Sequence, residues 1–351
     1  MENKPSARQK QAEQSQATEP KKQGAIVYAK IFPPIGIARV GDSSMDNGWF
    51  IGPEWPEQQL STDPTHRYKD ENGRVNRQAA RFRLYGYDEN HNVVAELTAE
   101  KYIITWEVAL ANKKAEWFRF NGAYSALSHF RDPQHTPSSP GAPNDDVWKL
   151  RNARVGYDDN KRTWDFKYRE NLLQINGGKQ SIEGIEVGHS AKDQKRFEGL
   201  FLERHKVYLG EIRTDKKGRL IVLGGIGKSA GYGEDFERPE PNNWVTNYAN
   251  NDLWHDDVSD GPVTATVRSK NGGSAQTIPV RDGAWVIVAP PDFSPDTYNV
   301  VTLYDVMVQA ARDHKLPSHE LRGFLPNAQT EFWRDVYPIL KRMGDYSWVN
   351  T

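Results

Sequence analysis

The chain has 351 residues, with 46 basic and 47 acidic side chains, a formal net charge of −1 and no cysteine. This balance argues against a nucleic-acid-binding protein, which needs a basic excess on one face, and no apolar run approaches the roughly 18 residues that span a bilayer. Without cysteine the chain can form no disulfide, thiolate metal site, catalytic thiol or thioether-linked cofactor of its own. No apolar signal-peptide region begins the sequence, so we expect the cytoplasm by default.

Residues 1–24 are polar and carry almost no large apolar side chain, so we expect a disordered tail. A β-rich domain is predicted over 25–290, because short apolar or alternating runs follow one another between turn residues. Within it, residues 131–147 are rich in Pro, Ser and Asp and predict an exposed loop. The predicted strands are 25–32, 35–41, 48–52, 77–87, 93–97, 103–110, 172–175, 207–214, 219–223, 263–268, 276–280 and 284–289. Four tryptophans beside these runs, Trp106, Trp117, Trp254 and Trp285, are interpreted as core anchors.

The pattern changes after Pro290-Pro291, and residues 291–351 form a predicted helical segment. Apolar residues recur at helical spacing over 302–314 and again over 330–342, where Pro338 should kink or split the helix. Because strands do not alternate with long helices, a parallel α/β sheet is not expected. The sequence therefore predicts a mainly β fold: an antiparallel, sandwich-like body with a few helices, two of them near the C-terminus.

The densest polar stretch is Asn250–Pro262, NNDLWHDDVSDGP, which leads into a predicted strand. Four carboxylates this close repel one another unless a cation, backbone N–H groups or basic neighbours compensate. The stretch has three interpretations: a site for a hard cation, although the spacing matches no EF-hand; a catalytic site in which the histidine moves protons; or a loop whose carboxylates accept backbone N–H bonds. The candidate polar loop site comprises Asp252, His255, Asp256, Asp257 and Asp260.

A glycine-rich run, Leu223-Gly-Gly-Ile-Gly-Lys-Ser229, resembles a phosphate-binding loop but fails its spacing, since Val222 and Ala230 stand where glycines are required. The run Gly227-Lys-Ser229-Ala-Gly231 does match the G-x-S-x-G pattern of serine hydrolases. An acid from 252–260 and His314 or His319 would keep the chain order of a triad. A nucleophile elbow also needs a helix directly after the serine, and the following residues cannot form one. A hydrolase using Ser229 is therefore a weaker alternative.

Seven ordered blocks together resemble one family. They are 31–41 with 49–54, 77–83, 106–114, 209–215, 251–263, 285–293 and 322–326. Among them are Ile31-Phe-Pro-Pro-Ile-Gly-Ile-Ala-Arg-Val-Gly41, Leu209-Gly-Glu-Ile-Arg-Thr-Asp215 and Trp285-Val-Ile-Val-Ala-Pro-Pro-Asp-Phe293. The set is similar to the N-terminal portion of the LodA/GoxA-type quinoproteins, the L-lysine ε-oxidases and glycine oxidases. This resemblance implies oxidative deamination of an amino acid with O₂, giving NH₃ and H₂O₂. It also implies a cysteine tryptophylquinone cofactor, matured with a partner flavoprotein.

The chain departs from that family in having no cysteine, so the resemblance assigns no catalytic, cofactor-binding or metal-binding residue here. We expect an N-terminal portion that is inactive alone, whose partner is the remainder of the oxidase or another subunit and whose apolar surface is left partly exposed. The alternative is a non-catalytic, β-rich binding or assembly module derived from the family. Neither hypothesis calls for nucleic acid or a membrane.

Overall fold

A computed structural model describes residues 24–54, 68–117, 150–233, 236, 251–270, 277–292, 301–314 and 332–346, apart from residues 159, 162 and 191. The predicted tail lies outside these residues except for Gly24, and so does the predicted loop at 131–147. The strands are β1 Tyr28–Phe32, β2 Ile35–Arg39, β3 Trp49–Ile51, β4 Arg77–Tyr87, β5 Val93–Leu97, β6 Tyr102–Asn112, β7 Tyr157–Asp158, β8 Thr163–Trp164, β9 Ile175–Glu183, β10 Lys195–Phe201, β11 His205–Thr214, β12 Leu220–Gly224, β13 Ser229–Gly231, β14 Trp254–Asp256, β15 Ser259–Ser269, β16 Thr277–Ile278 and β17 Ala284–Ala289.

The helices are α1 Phe166–Leu173, α2 Leu303–Asp313 and α3 Tyr337–Asp345, and a π-helix, Phe332–Val336, precedes α3. The predicted break at Pro338 takes the form of this change from π- to α-helix, since proline occupies the first turn of α3. Proline is tolerated in the first turn of an α-helix, because a backbone N–H at that position would have no acceptor within the helix. The strand predicted at 172–175 is wrong for its first half, because Leu172 and Leu173 end α1 and β9 begins at Ile175.

Thirteen of the described strands form one sheet in the order β10-β11-β12-β4-β2-β17-β15-β6-β9, with β1, β3 and β5 on β4 and β16 on β15. Most neighbours are antiparallel, but β2–β17 and β3–β4 are parallel, so the sheet is mixed. The strands at the two ends of the path, β9 and β10, contact each other, and the sheet therefore curls around its contents. The prediction of a mainly β fold with few helices is confirmed.

The core lies inside this curled sheet and follows the alternation of the strands. On β6 the inward residues are Ile104, Trp106, Val108 and Leu110, each at most 3% exposed. Phe82 and Leu84 of β4, Phe197 of β10, Leu209 of β11 and Val286 of β17 belong to the same buried cluster. The Trp106 indole also donates to the Gly218 carbonyl at 2.9 Å, which ties β6 to the β11–β12 turn.

The chain divides into two compact units, residues 1–291 and 292–351. The first holds the sheet and α1, and the second holds α2, the π-helix and α3. No helix among the described residues combines the length and the apolar character that crossing a bilayer would require.

Candidate functional site

The five candidate residues lie on the short strand β14, at the start of the long strand β15 and on the residues beside them. Asp252 precedes β14, whose last two residues are His255 and Asp256; Asp257 follows it, and Asp260 already belongs to β15. Strand β14 pairs with β13, which sets Ala230 opposite His255. The sequence placed the whole cluster in one loop, whereas two strands divide it and their alternation sends the side chains to different neighbours.

Asp252 joins two loops that are 100 residues apart in sequence. Its Oδ1 accepts the backbone N–H of Asn152 at 2.8 Å, and Asn152 Oδ1 accepts the N–H of Leu253 at 2.7 Å. The Asn152 amide also donates to the Ala115 carbonyl at 2.8 Å. Both Asn152 and Leu253 have φ of 49°, and reciprocal bonds of this kind stabilise such left-handed residues. This contact is structural.

Arg169 of α1 organises the loop that carries Asn152. The side chain is fully buried, and its guanidinium donates to four backbone carbonyls at 2.7–3.1 Å. The acceptors are Glu116, Arg151, Asn152 and Val155. Burial lowers the pKa of Arg169, although Glu116 and Asp252 oppose that shift. A carbonyl cage for one arginine explains how a loop without regular structure stays ordered.

Asp256 is bound by a cation and an amide. Its Oδ2 pairs with Lys114 Nζ, and its Oδ1 accepts the Asn112 side-chain amide at 2.9 Å. The same amide donates to the Asp256 carbonyl at 3.0 Å. Lys114 Nζ also lies 5.4 Å from the centre of the Trp254 ring, within cation–π range. The carboxylate is therefore compensated within the chain.

Asp257 lies with its carboxylate against the backbone of the glycine-rich run that resembled a phosphate-binding loop. Its carboxylate is 2% exposed, and Oδ2 accepts the backbone N–H of Lys228 at 3.0 Å. Burial raises the pKa of Asp257, while hydrogen bonds from the backbone of Lys228 and Ile226 oppose the rise. A Cβ on Gly225 would lie 2.4 Å from the same carboxylate oxygen, so glycine is required there. The loop thus binds an anion, but the anion is a side chain of its own protein.

His255 is buried in an aromatic cluster. Its ring stacks on Tyr232 with the ring centres 5.9 Å apart, Tyr232 also stacks on His205 at 3.8 Å, and Phe201 packs beside His255 at 5.0 Å. Its Nε2 lies 3.4 Å from the Tyr232 hydroxyl. Burial lowers the pKa of His255, and Asp256 only partly offsets this. The imidazole therefore favours its neutral form.

Asp260 is exposed, as Asp252 is. Its Oδ2 accepts the indole N–H of Trp285 on the neighbouring strand at 2.9 Å. Trp285 is 43% exposed and Trp117 is 62% exposed. The interpretation of these two residues as core anchors is therefore wrong. On β17 the inward positions are Ala284, Val286 and Val288, and Trp285 falls on the opposite face by alternation.

The arrangement does not concentrate the five side chains on one point. Within the described part of the chain, no group of three or more His, Asp or Glu side chains is placed to hold a metal ion. Ser229 is exposed and begins β13, and residues 230–233 after it form no helix, so the elbow geometry is not formed. His314 lies at the end of α2 in the second unit, while His319 and Asn250 fall outside the described residues.

Four residues that the sequence did not single out maintain this region: Asn112, Lys114, Asn152 and Arg169. Their partners lie up to 144 residues away, and no local pattern marks an asparagine or arginine for such a contact.

An open groove of about 570 Å³ lies beside α1 and β10. It is lined by charged groups that are paired at its surface, as Lys167 is with Glu170 at 3.2 Å and Lys206 with Glu198 at 2.6 Å.

The fold and this internally bonded region describe a mainly β domain, and comparison with known proteins assigns its family. Residues 32–288 match the family described as L-lysine epsilon oxidase N-terminal, and the chain belongs to that family. It is 30% identical over 336 residues to the L-lysine 6-oxidase of Marinomonas mediterranea, covering 91% of this chain and 43% of the relative.

Solved structures from the same organism agree. The Schiff base intermediate of L-Lys ε-oxidase with L-Lys is 27% identical, with a TM-score of 0.59 over 92% of this chain and 45% of that one. A second structure of the ε-lysine oxidase is also 27% identical, with a TM-score of 0.58 over 92% of this chain and 46% of that one. This chain therefore spans less than half the length of the relatives it matches.

Proposed function

We propose that this chain is the N-terminal, non-catalytic part of a LodA-like quinoprotein oxidase. The complete protein would deaminate an amino acid such as lysine or glycine with O₂, releasing NH₃ and H₂O₂. The observation that carries the proposal is the match of residues 32–288 to the N-terminal family, together with relatives more than twice as long. The named relative acts on L-lysine, which makes an amino acid the substrate class to test first.

The family's cofactor does not fit the residues of this chain. A cysteine tryptophylquinone needs one cysteine sulfur bonded to a tryptophan, and the sequence has 11 tryptophans but no cysteine. Quinone chemistry, in which a carbonyl condenses with the substrate amine, therefore has to come from another polypeptide segment. Maturation by a flavoprotein would act on that segment too. No catalytic step is assigned to residues of this chain.

In this proposal the role of the domain is structural and not catalytic. Asp252, Asp256 and Asp257 each accept hydrogen bonds from the chain itself, and they fix loops against the curled sheet. Rigid scaffolds of this kind position the loops and subunits that carry chemistry. The proposed domain therefore supports the catalytic part and shapes the approach to it.

A direct assay tests the catalytic half of this proposal. We expect the purified chain to give neither a redox-cycling quinone stain nor H₂O₂ with L-lysine or glycine, because it cannot supply the thioether sulfur. The L-lysine 6-oxidase of M. mediterranea serves as the positive control. A quinone stain on this chain together with peroxide formation would overturn the proposed inactivity.

A chimera distinguishes the proposal from the alternative of an assembly module. The missing cysteine agrees with that alternative as well, so it cannot decide between the two. In the chimera, this chain replaces the N-terminal part of the M. mediterranea oxidase. We expect the chimera, expressed with the relative's maturation partner, to fold and to acquire quinone stain. A chimera that folds but never stains would favour the module. The hydrolase alternative has no such support, since Ser229 lacks the elbow, and Ser229→Ala should leave any esterase activity unchanged.

A further inference from the structure

We infer that the helices of the second unit carry the surface that docks the C-terminal part of a LodA-type oxidase. The inference rests on the proposed function and adds the residues that would make the contact. We call these residues the helical docking surface. It comprises Leu303, Val306 and Met307 of α2, Phe332 and Trp333 of the π-helix, and Tyr337, Ile339, Leu340 and Met343 of α3.

The α2 contribution is an apolar stripe that nothing covers in the described structure. Leu303, Val306 and Met307 are spaced three and four residues apart, so they share one side of the helix. They are 52–56% exposed. A polar pair borders the stripe: Gln309, three residues after Val306, donates to Asp313 at 2.8 Å. A helix of this pattern normally packs its apolar side against a partner.

The α3 contribution has the same character. Ile339, Leu340 and Met343 lie within about a third of the helical circumference, as their spacing of one and four residues requires. They are 45–59% exposed. The basic residue of the last turn, Arg342, points elsewhere and pairs with Asp305 of α2 at 3.1 Å. That ion pair joins the two helices while leaving both apolar stripes uncovered.

An aromatic group extends the α3 stripe towards the N-terminus of the helix. Trp333 lies 5.1 Å from Phe332 and 5.0 Å from Tyr337 between ring centres. The tryptophan is 74% exposed and the phenylalanine 51%. Large aromatic side chains are the residues that most often dominate binding energy at protein interfaces. So many exposed apolar groups on one small unit mark an interaction surface rather than scattered surface hydrophobicity.

The comparisons indicate what covers this surface. The N-terminal family ends at residue 288, before the second unit begins at 292. Yet a solved relative aligns with 92% of the chain, more than the 291 of 351 residues in the first unit can supply. The second unit is therefore shared with the relatives, and in them it leads into the 55% of the protein that this chain does not match. That remaining part is the occupant we assign.

The test joins this full chain to the C-terminal part of the M. mediterranea L-lysine 6-oxidase and measures amide hydrogen exchange by mass spectrometry. We expect exchange in α2 and α3 to slow by about tenfold or more relative to the separate chain, because buried helices open less often. The α1 helix, with its exposed polar side, should not change.

Matched variants identify the surface. Val306→Glu and Met343→Glu each place a carboxylate on an apolar stripe, whereas Gln309→Glu places one at the polar border of the α2 stripe, where the side chain already contacts Asp313. In the fusion, we expect the first two to restore fast exchange in both helices, and the third to leave them protected. Circular dichroism of the same variants in the unfused chain should be unchanged, since all three positions are exposed.

Three other outcomes would contradict the docking surface, the proposed function or both. Protection that appears only in the first unit would overturn the docking surface and leave the proposed function standing. A fusion with no new protection anywhere would overturn both. A dimer of the unfused chain that Met343→Glu dissociates, with no protection of α2 or α3 in the fusion, would assign the surface to a second copy instead.

Discussion

At the scale of single residues, the acidic stretch shows how one cluster in sequence becomes several separate contacts. Asp252 holds a neighbouring loop, Asp256 pairs with Lys114, and Asp257 fills the glycine-rich turn. Among the five candidates, Asp252 and Asp260 are exposed and the other three are buried or half-buried. The repulsion expected from close carboxylates is relieved by donors from elsewhere in the chain, so the interpretation as a hydrogen-bonded loop describes the geometry best.

Asp257 provides the sharpest test at this scale. Asp257→Ala would remove the buried carboxylate that accepts the backbone N–H groups of Ile226 and Lys228, and we expect a loss of about 1–3 kcal/mol in the free energy of unfolding. Asp257→Asn keeps an acceptor oxygen and should recover most of that loss. Asp260→Ala is the control, because it removes a carboxylate from an exposed site and should cost less than about 1 kcal/mol. Urea unfolding measures all three; equal losses for both alanine variants would contradict this account.

At the scale of elements, the short strand β3 depends on an ion-pair clamp beyond its end. Its three residues pair in parallel with β4, and Glu54 follows closely. The Glu54 carboxylate accepts hydrogen bonds from Arg83 at 2.7 and 2.8 Å and also pairs with Arg81, both on β4. Burial alone would raise the pKa of Glu54, but these two guanidinium groups lower it to about 2.

A pH series tests the clamp. A carboxyl group whose pKa is lower in the folded state stabilises the fold above its unfolded pKa. For Glu54 that contribution should disappear as the pH falls from about 4.5 to about 2. We expect Glu54→Gln to reduce the free energy of unfolding by about 2 kcal/mol at pH 7 and by progressively less below pH 4.5.

Urea unfolding at several pH values measures this difference between Glu54→Gln and the unchanged chain. The control is Glu89→Gln, which changes an exposed turn residue between β4 and β5 and should have almost no effect at any pH. A Glu54→Gln difference that stays constant from pH 7 to pH 3 would rule out the lowered pKa as its cause.

Elements with strong local signals were predictable from sequence. The bounds of β4, β5 and β17 agree with the prediction, because alternation and flanking turns define each of them. Helix α1 was missed since FKYRENLL is short and charged and its burial rests on Arg169, which has no apolar signal. Strands β9 and β10 were missed too, because glycine and charged residues interrupt their alternation. The parallel pairing of β2 with β17 joins residues about 250 apart, and no local pattern encodes it.

At the scale of the whole molecule, β15 connects the two halves of the sheet through β17 on one side and β6 on the other. Gly261 sits in this strand where the backbones approach, and a Cβ there would lie 1.8 Å from the Ala109 carbonyl oxygen. We expect Gly261→Ala to lower the thermal midpoint by more than about 5 °C, through a loss of more than about 2 kcal/mol.

The matched control is Gly283→Ala at the turn before β17, where the nearest atom to an added Cβ is 3.3 Å away. It should shift the midpoint far less. Similar midpoints for both variants would show that the β15–β6 approach tolerates a side chain. Calorimetry is the suitable measurement, since it follows the sheet unit and the helical unit in one scan.

The carbonyl cage around Arg169 has a consequence for how the neighbouring loops are held together. The four carbonyls it collects come from segments on both sides of residues 118–149, and one belongs to Asn152, which in turn positions Asp252. These segments share one donor, so the Arg169 guanidinium of α1 fixes their positions relative to one another. A short, charged helix of eight residues therefore supplies, through one guanidinium, the hydrogen bonds that hold the loop beside the acidic region in a single arrangement.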